Sequence, residues 1–401
     1  MADNSPRLIV FSSLYPSRVR PNAGVFIRER MSKVARHCPL VVISPIPWFP
    51  LQSLIQWFKP NYRPQPDKYE DQDGISVYFP RFLSMPGIGR SLDGLFMALG
   101  SLVIFFRLKK RFAFNLIDAH FAYPDGYAAT LLGKWFKVPV TITLRGTEVP
   151  LSKIPSRRQL LLKALNDAAR VFSVSDSIKR HVVNLGADAE KIRVVGNGID
   201  TAKFFPIDKK QARQHWQIPE DMQVLISVGG LVDRKGFHRV IEILPGLIEK
   251  YPRLLYLIVG GASPEGNIRS RLEQQVETLN LGQHVRFLGA MPAEQLHGPL
   301  SAADIFVLAT ANEGWANVFL EAMACGLPVI STDVGGNREV VADETLGTIV
   351  PFGDADALLL ALENALQRQW DRQAIINYAA DNSWDKRVDI LLAEFKKLVE
   401  S

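Results

Sequence analysis

Short apolar runs recur along the whole chain and alternate with longer segments in which apolar residues return at a helical period. Runs of this length, bounded by polar or turn-forming residues, predict buried β-strands, and the segments between them predict helices. The runs cover residues 8–12, 40–44, 116–119, 138–144, 171–174 and 192–195 in the first half, and 224–228, 254–259, 285–288, 305–308 and 328–332 in the second. This alternation predicts an α/β protein with two doubly wound domains.

The same pattern suggests where the domains divide. A polar stretch begins near Ile207, between the two series of strands, so we expect one domain over residues 1–203 and a second over residues 204–380. Apolar and charged residues alternate at helical spacing over residues 386–399, which predicts a C-terminal helix. We expect residues 381–401 to pack back towards the first domain.

Residues 45–90 interrupt the alternation. Prolines there separate Trp48, Phe49, Trp57, Phe58 and Tyr62, a composition unsuited to a central strand or a regular helix. One interpretation is an Ω-like loop packed on its own aromatic rings. The other is an insertion that contacts a membrane or a lipid, because aromatic rings beside Lys and Arg favour the membrane interface.

A second apolar element follows this insertion. Residues 94–106 form an apolar stretch of 13 residues, against the roughly 20 that a membrane-spanning helix needs. The stretch predicts a buried or interfacial helix rather than a span, and cations follow it at Lys109, Lys110 and Arg111. If this domain contacts a membrane, we expect Trp48, Trp57 and these cations to make the contact.

Composition narrows the class of protein. With 47% hydrophobic residues, 22% charged residues and 22 Phe, the chain is not a disordered or low-complexity protein. Cys38 and Cys325 are too few for a disulfide framework or a zinc site, so we expect a reducing compartment such as the cytosol. The first residues lack the apolar core of about 7–15 residues that a signal peptide needs.

The net charge of +6 conceals an asymmetry between the two halves. Residues 1–200 hold 28 Lys and Arg against 15 Asp and Glu, a charge of +13, whereas residues 201–401 hold 19 against 26, a charge of −7. A basic half favours anionic ligands, an anionic membrane surface or nucleic acid, or is only an uneven solvated surface. Because no recognised nucleic-acid-binding motif is present, we expect no nucleic-acid partner.

The most informative segment is SAADIFVLATANEGWANVFLEAMACGLPVISTDVGGNREV, residues 301–340. Glu313 precedes a predicted helix over residues 315–325, and Glu321 lies inside it. Eight residues of helix rise about 12 Å, beyond the roughly 5–9.5 Å that separates a glycosidase carboxyl pair. The two glutamates therefore suit two ends of one extended ligand, and amides at the helix N-terminus favour a phosphate. The signatures of dinucleotide-binding proteins, P-loop NTPases, zinc peptidases and α/β-hydrolases are missing.

This segment resembles the retaining glycosyltransferases of family 4, the glycosyl transferases group 1, which have the GT-B fold. YPSRVRPNAGVFIRE resembles the family's N-terminal glycine loop, TLRGTE its Thr-x-His-Gly-x-Asp motif and SVGGLVDRKG its phosphate loop, and IDAHFAYPDG, VVGNGID, LIVGGA and VRFLGA occur in the family's order. The resemblance covers nearly the whole chain. It implies two Rossmann-like domains whose parallel sheets face a central cleft, with the donor bound mainly by the second domain and the acceptor by the first.

The resemblance also implies roles for individual residues. Glu313 would bind hydroxyls of the donor sugar, Glu321 the ribose hydroxyls, and Lys235 the diphosphate, where it would stabilise the charge that develops on the leaving group. His120 would lie over the reacting sugar and hydrogen-bond a hydroxyl. The implied catalytic residues are His120, Arg145, Lys235 and Glu313. The implied donor-binding residues are Gly24, Gly229, Arg234, Lys235, Arg286, Leu288, Glu313, Gly314, Asn317, Val318 and Glu321.

Two positions depart from the family's pattern. Gly230 stands where the family commonly has Arg, and Arg234 is the candidate substitute. Arg145 stands where the Thr-x-His-Gly motif has His. It would compensate at the phosphate, read an anionic acceptor, or form a salt bridge with a neighbour such as Glu148.

The family is thought to transfer sugar with retention: the acceptor attacks on the leaving-group face and a phosphate oxygen takes the proton. The resemblance therefore implies no side-chain nucleophile and no metal or other cofactor. Two Asp-x-Asp triplets, Asp71/Asp73 and Asp354/Asp356, fall outside the donor motifs and are interpreted as loop residues.

The expected activity is that of a hexosyltransferase with a nucleotide-diphosphate sugar as donor. The expected acceptor is lipid-linked or a saccharide, in surface polysaccharide biosynthesis, and the expected location is cytoplasmic, at or near an anionic inner membrane surface. Two alternatives stay open. The same fold could make a soluble glycoside, or it could serve as a catalytically silent GT-B binding module.

Overall fold

The computed structural model describes residues 5–59, 62–87, 89–263 and 265–400. It separates into two compact units: unit 1 contains Met1–Asn197 and Asp385–Ser401, and unit 2 contains Gly198–Trp384. Each unit is built on a mainly parallel sheet with helices between the strands. The two doubly wound α/β domains that the sequence predicts are therefore confirmed.

Ten strands lie in the described part of unit 1. They are β1 (Leu8–Phe11), β2 (Leu40–Ile43), β3 (Ile46–Trp48), β4 (Tyr69–Gln72), β5 (Ile75–Tyr78), β6 (Arg81–Leu83), β7 (Leu116–His120), β8 (Val140–Leu144), β9 (Arg170–Ser173) and β10 (Ile192–Val194). Eight of them form one sheet in the order β10-β9-β8-β7-β1-β2-β5-β4, in which only β4 and β5 pair antiparallel. The other two, β3 and β6, form a separate parallel pair.

The helices of unit 1 connect these strands. In chain order they are α1 (Val25–Val34), α2 (Gln52–Phe58), α3 (Asp93–Arg111), α4 (Tyr127–Phe136), α5 (Glu148–Ser152), α6 (Pro155–Asp167) and α7 (Asp176–Asn184). The central strands β1, β7 and β8 are buried along their whole length. Such strands read as continuous apolar runs because helices cover both faces of the sheet, which is why they were visible in the sequence.

The described part of unit 2 has six parallel strands in the order β13-β12-β11-β14-β15-β16. They are β11 (Gln223–Val228), β12 (Leu254–Val259), β13 (Val285–Gly289), β14 (Ile305–Leu308), β15 (Val329–Thr332) and β16 (Gly347–Val350). The helices are α8 (Lys209–His215), α9 (Phe237–Lys250), α10 (Arg269–Thr278), α11 (His297–Ala302), α12 (Asn317–Ala324), α13 (Asn337–Val340), α14 (Ala355–Gln367) and α15 (Arg372–Asp381). Successive residues of β11 enter two separate apolar cores, one on each face of the sheet.

The last helix, α16 (Trp384–Glu400), returns the chain to unit 1. Val388, Leu391 and Phe395 are buried in the core of that unit. The Phe395 ring packs edge-on against Phe172 of β9, with ring centroids 6.0 Å apart.

All eleven runs interpreted as strands are strands, with ends shifted by at most two residues. The structure adds β3, β4, β5, β6 and β16, which the pattern missed. The Ω-like loop interpretation of residues 45–90 is wrong, because this segment holds four strands and α2. Its strands were hidden because each has only three or four residues and prolines lie among them.

Candidate functional site

Glycines follow or end three neighbouring strands at the carboxyl edge of the unit 2 sheet. The Gly229 amide donates to the Val259 carbonyl at 3.0 Å, and the Gly260 amide donates to the Gly289 carbonyl at 2.8 Å. A Cβ at Gly260 would lie 1.8 Å from the Gly229 carbonyl oxygen, so this approach requires glycine. The strand ends at Gly229, Gly260 and Gly289 therefore form a backbone surface without side chains, which we call the glycine floor. A ligand can approach this surface closely.

Lys235 lies beside this floor at the end of a single 3-10 turn, Asp233–Lys235. The turn ends at Gly236, whose φ is +76° and at which a Cβ would lie 1.9 Å from the Ala309 carbonyl oxygen. Only glycine allows the turn to pack so closely after β14. A Cβ at Gly229 would meet the Lys235 side-chain carbons at 3.6 Å, so the lysine stem passes directly by the strand end.

Glu313 accepts hydrogen bonds from that lysine and two other donors. Lys235 Nζ donates to Glu313 Oε1 at 2.6 Å, Arg234 Nη1 at 3.3 Å and Thr310 Oγ1 at 3.1 Å. Among the described residues, no hydrogen bond reaches Glu313 Oε2. One carboxylate oxygen is thus anchored by two cations and a hydroxyl, and the other keeps its capacity to accept hydrogen bonds.

The glycine pair after β15 holds the backbone of Glu313. The Gly336 amide donates to the Glu313 carbonyl at 3.3 Å. At Gly335 φ is +54°, and a Cβ there would lie 1.6 Å from the Glu313 carbonyl oxygen. Any side chain at position 335 would therefore displace Glu313.

Arg234 supplies the second cation beside Glu313. Its Nε and Nη2 donate to the Glu265 carboxylate at 2.9 and 2.7 Å. This paired hydrogen bond raises the pKa of Arg234 and lowers that of Glu265. At Gly230 even a Cβ would lie only 3.0 Å from Ser263 Cβ, so an arginine at that position would need the neighbouring segment to shift.

Helix α12 begins at Asn317, so the structure confirms that Glu313 precedes the helix and that Glu321 lies within it. Within the described part of the chain, no side chain caps its N-terminus, at which the Asn317 and Val318 amides lie, and the half-buried Gly314 precedes it. The positive end of the helix therefore lies close in sequence to Glu313. Burial raises the pKa of the nearby Cys325 thiol to about 12, and the charge of half-buried Glu321 adds to that shift.

The two residues expected near the nucleotide base lie on β13. The Arg286 guanidinium donates to the Trp216 carbonyl at 2.7 Å, so this chain already provides it with an acceptor. Leu288 is partly buried against one apolar core of the unit. Contact of their backbone with a base stays a prediction.

In unit 1 the carboxyl ends of the strands bring His120, Arg145 and Asn197 together. Arg145 Nε and Nη2 lie 3.3 and 3.2 Å from His120 Nδ1, and Arg145 Nη1 donates to Asn197 Oδ1 at 3.0 Å. The guanidinium also lies 4.8 Å from the ring centroid of Phe26. Because arginine only donates, His120 Nδ1 accepts, and a neutral imidazole carries its proton on Nε2.

Burial determines the charge of His120. The side chain is 0% exposed, and burial lowers its pKa well below the ordinary value, with Arg145 and Arg30 adding to the shift. Nε2 lies 3.7 Å from Asp118 Oδ2, outside hydrogen-bond distance. At neutral pH this imidazole is therefore a neutral hydrogen-bond donor, and direct contact with a sugar requires the surrounding chain to move.

Glu148 is not the partner of the Arg145 guanidinium, so the salt bridge considered from the sequence is wrong. Its carboxylate instead accepts backbone amides of Arg145 at 3.2 Å, Gly146 at 2.8 Å and Ala122 at 3.2 Å. Burial raises the pKa of Glu148, and these hydrogen bonds oppose that shift. The residue closes the loop after β8, and the arginine is left to contact the imidazole.

Arg30 and Asp118 belong to the same cluster, and neither was expected there from the sequence. Arg30 on α1 is 1% exposed, and Asp118 within β7 accepts from Thr141 Oγ1 at 2.7 Å. Burial lowers the pKa of Arg30 and raises that of Asp118, while their mutual attraction opposes both shifts. The sequence could have indicated both residues. Each is a charged residue at a position where the periodicity of the neighbouring apolar residues predicts a core side chain.

Gly24 ends the loop that connects β1 to α1, and this loop folds back on its own first residues. At Gly24 φ is +69°, and a Cβ would lie 2.2 Å from the Leu14 carbonyl oxygen. Ser13, which precedes Leu14, donates hydrogen bonds to the Asp125 carboxylate from its hydroxyl, at 3.1 Å, and from its backbone amide. Burial raises the pKa of Asp125 to about 7.

The residues expected to contact a membrane differ in their exposure and in their contacts with the rest of unit 1. Trp57 on α2 is 81% exposed, whereas Trp48 in β3 is only partly exposed. Lys109 donates to the Phe114 carbonyl at 3.1 Å and lies over that ring. Lys110 and Arg111 are exposed.

The two Asp-x-Asp triplets have local structural roles. Asp354 caps α14 by accepting the Ala357 amide at 2.9 Å, and Asp71, which lies on β4 rather than in a loop, accepts the Gly74 amide at 3.1 Å. Within the described ranges, no group of three or more His, Cys, Asp and Glu side chains is placed to hold a metal ion. Metal independence stays a prediction.

The two α/β units, each built on a mainly parallel sheet, have the fold of GT-B glycosyltransferases. The structure of Anabaena Alr3699/HepE in complex with UDP matches with a TM-score of 0.74 at 18% identity, over 98% of this chain and 100% of that chain. The family model described as Glycosyl transferases group 1 matches residues 208–382, and the model described as Glycosyltransferase Family 4 matches residues 55–203.

Two relatives with similar sequences are also glycosyltransferases by name. D-inositol 3-phosphate glycosyltransferase of Corynebacterium urealyticum is 31% identical over 319 residues, 75% of each chain. The putative teichuronic acid biosynthesis glycosyltransferase TuaC of Bacillus subtilis is 27% identical over 388 residues, 95% of this chain and 91% of the relative. The chain belongs to glycosyltransferase family 4, which confirms the resemblance found in the sequence.

Proposed function

We propose that this protein transfers a hexose, with retention, from a nucleotide-diphosphate sugar to a lipid-linked or saccharide acceptor in surface polysaccharide biosynthesis, at the inner face of the cytoplasmic membrane. The observation that carries the proposal is the arrangement of Glu313, whose Oε1 is anchored by Lys235 and Arg234. Support for the donor comes from HepE, which was solved with UDP and with UDP-glucose. Support for the pathway comes from the name of TuaC.

The geometry suits the three parts of such a donor. Lys235 and Arg234 lie next to each other on one turn beside the glycine floor, where a diphosphate would find two cations without side chains in its way. Glu313 Oε2 would accept hydroxyls of the sugar. Glu321 on α12 would bind the ribose, and β13 would contact the base. Lys235 Nζ has three donors, so it would hold Glu313 and a phosphate oxygen together.

The proposed reaction needs no side-chain nucleophile. The bond between the anomeric carbon and the phosphate oxygen breaks, and its electron pair leaves with the diphosphate. The acceptor hydroxyl oxygen bonds to the anomeric carbon on the same face, and its proton passes to a phosphate oxygen. Lys235 and Arg234 would stabilise the charge on the leaving diphosphate, which a divalent ion does in other enzymes, and we therefore propose metal independence.

In unit 1 we propose that His120 orients a hydroxyl through its Nε2 proton, which is free because Arg145 occupies Nδ1. Arg145 acts through the imidazole and is a positioning residue in this arrangement. The low pKa of the buried ring keeps it uncharged over the whole neutral range. The proton of the acceptor therefore does not go to His120.

The first experiment measures donor binding. Thermal unfolding is followed with UDP-, GDP- and ADP-sugars, because a donor at about 100 times its dissociation constant stabilises the folded state by roughly 2.7 kcal/mol. Glu313→Gln keeps the shape of the side chain and should abolish transfer and weaken the donor-dependent shift. Glu344→Gln, an exposed acid in the same unit, is the matched control and should behave as wild type. A wild-type chain that no nucleotide sugar stabilises would contradict the proposal.

A second experiment examines the chemistry. The anomeric configuration of the product is compared with that of the donor by NMR, and the initial rate is measured with and without EDTA. Retention and an unchanged rate are expected. An inverted product would exclude the proposed mechanism, and a rate lost to EDTA and restored by a divalent cation would exclude metal independence.

Two other functions give different results in the same assays. A catalytically silent module would bind the donor without transferring or hydrolysing it; the absence of Arg at Gly230 favours this alternative. An enzyme that makes a soluble glycoside would use a simple sugar acceptor and leave a polyprenyl-diphosphate saccharide unmodified.

A further inference from the structure

One face of α3 is exposed although it is apolar. Leu95, Leu99, Val103 and Phe106 are 37%, 47%, 69% and 60% exposed. Residues spaced by three or four positions lie on one side of a helix, so these four form a continuous line, which we call the α3 stripe. With the turn before it the helix covers Arg90–Arg111, and an 18-residue window within it has a mean hydropathy of 1.6, so length and composition would suffice to cross a membrane.

The opposite face of α3 is buried in unit 1. Met97, Ala98 and Phe105 are fully buried. A Cβ at Gly100 would lie 2.5 Å from the Arg81 carbonyl oxygen, so α3 packs against β6 almost backbone to backbone. If α3 crossed a membrane, this buried face would lose its contacts with the core of unit 1. The structure therefore presents α3 as a helix that lies on the surface of unit 1 with its stripe outward.

Cations continue the stripe at its C-terminal end. Lys110 follows Phe106 by four residues and so lies on the same side of the helix, and Arg107 and Arg111 are also exposed. The helix contains one acid, the partly buried Asp93, at its other end. An apolar line that ends in cations complements the acyl-chain boundary and the headgroups of an anionic bilayer.

Helix α2 adds a second exposed apolar surface in the same part of unit 1. Leu54, Trp57 and Phe58 are 55%, 81% and 82% exposed. The chain enters α2 from β3, which pairs with β6, the strand that α3 covers. Isolated exposed apolar residues are ordinary, but two neighbouring elements with contiguous ones mark an interaction surface.

We propose that the α3 stripe docks unit 1 onto an anionic phospholipid bilayer, with α3 parallel to the membrane plane, Lys110 at the headgroups and α2 as a second contact. This inference rests on the proposed function, since a lipid-linked acceptor is held at such a surface. It assigns the main contact to residues outside the expected set, because the continuous exposed apolar line on α3 consists of Leu95, Leu99, Val103 and Phe106. The cations at the end of the stripe favour an anionic lipid surface over an uncharged protein partner.

A probe attached to the stripe tests the depth of insertion. Cys38 and Cys325 are buried, and burial raises the pKa of each thiol to about 12, so an environment-sensitive thiol label reacts selectively with a new exposed cysteine. We expect the fluorescence of labelled Val103→Cys to rise several-fold with vesicles of phosphatidylglycerol and phosphatidylcholine. Labelled Leu360→Cys, on an exposed position of α14 in unit 2, should not respond.

Co-sedimentation with the same vesicles measures the strength of docking. Leu99→Glu should lower the partition coefficient about tenfold or more, because a charge replaces a side chain buried at the interface. Lys110→Gln should lower it about fivefold, and added salt should remove that difference. Leu360→Glu makes the same chemical change on an exposed helix of unit 2 and should leave binding unchanged.

Three results would overturn the inference. Leu99→Glu could bind vesicles as tightly as wild type. The label on Val103→Cys could report an aqueous environment while the chain co-sediments with the vesicles. The chain could be a dimer in lipid-free buffer that Leu99→Glu dissociates, which would show that a second copy covers the stripe. The proposed function fails by a different readout, the absence of a donor-dependent thermal shift in wild type, and Leu99→Glu should retain that shift.

Discussion

The charged clusters of the two units are built on opposite principles. In unit 2, cations contact Glu313 directly, the shortest distance being 2.6 Å from Lys235 Nζ. In unit 1, His120 is completely buried and Arg30 almost so, and among the described residues Arg30 Nε and Nη2 have no hydrogen-bond partner. The first cluster pairs its charges directly with one another, and the second holds charges away from water with few direct partners.

This difference has a chemical consequence. In unit 2, Lys235 and Arg234 contact Glu313 directly, so a ligand can replace one partner of each contact. Charges that are buried with incomplete pairing respond by shifting their pKa, as the lowered pKa of His120 and the raised pKa of Asp118 illustrate. Unit 2 is therefore suited to binding an anionic donor, and unit 1 to controlling where a proton lies.

The largest effect is expected from removing the central cation of unit 2. Lys235→Met should lower kcat/KM for transfer about 10²–10³-fold, because the leaving diphosphate loses a charge aimed at it. Lys250→Met is the control; this lysine of α9 also pairs with a glutamate, at 2.8 Å from Glu363, but outside the site. A rise in KM with unchanged kcat would show that Lys235 binds the donor without stabilising the transition state.

The next effect concerns the backbone support of Glu313. Gly335→Ala should lower the free energy of unfolding by about 2–4 kcal/mol, because the new Cβ adds a steric clash to a left-handed φ. Gly353→Ala separates the two causes: its φ is +85°, yet a Cβ there has no atom within 4 Å. That control should lose only about 1–2 kcal/mol, for the left-handed backbone alone. Urea unfolding measures both, and equal losses would contradict the close contact.

Removing the cation that faces His120 should have a smaller effect. Arg145→Met should lower kcat about tenfold, because the imidazole loses the donor that fixes its tautomer. The pKa of His120 should rise as a neighbouring positive charge disappears, so the acidic limb of the pH–rate profile should move to higher pH. Arg145→Lys, which keeps a donor, should recover part of the rate. Arg180→Met, at an exposed position of α7, should change neither quantity.

The smallest effect is expected from Asp125, and it depends on pH. Its pKa of about 7 in the folded state exceeds the ordinary value of about 3.9, so the folded state binds more protons between these values and wild-type stability falls as pH rises. Asp125→Asn should remove about 1 kcal/mol of the decline between pH 5 and pH 6, measured by urea unfolding. The exposed Asp67→Asn should leave the decline intact. An identical pH dependence in the Asp125 variant would show that this carboxyl is ionised in the fold.

The fold was largely predictable because it depends on local periodicity. Strands such as β12 and β14 are apolar runs bounded by turn residues, and they form where the sequence predicts them. The insertion was not predictable in the same way. Its strands β3 and β6 are three residues long and gain their stability from pairing with each other and from α3, which lies next to them only in the folded unit.

The candidate site, like the fold, was predictable from the sequence only in part. Glu313, Lys235 and their glycines stand in recognisable motifs, because a left-handed turn or a close backbone approach demands glycine at a set place. The partner of Arg145 could not be read from the sequence. Glu148 lies three residues away and His120 lies 25 away, yet the parallel pairing of β7 with β8 brings the imidazole to the guanidinium.

The sequence by itself determined the α/β class, the position of Glu313 before α12 and the apolar character of α3, because periodicity and backbone conformation are properties of neighbouring residues. Only the tertiary structure decided which charges pair, which are buried and which side of α3 faces outward. Both faces of that helix are apolar, and β6 covers one of them. Burial and pairing join residues that are far apart in the chain, and these decide the chemistry of both clusters.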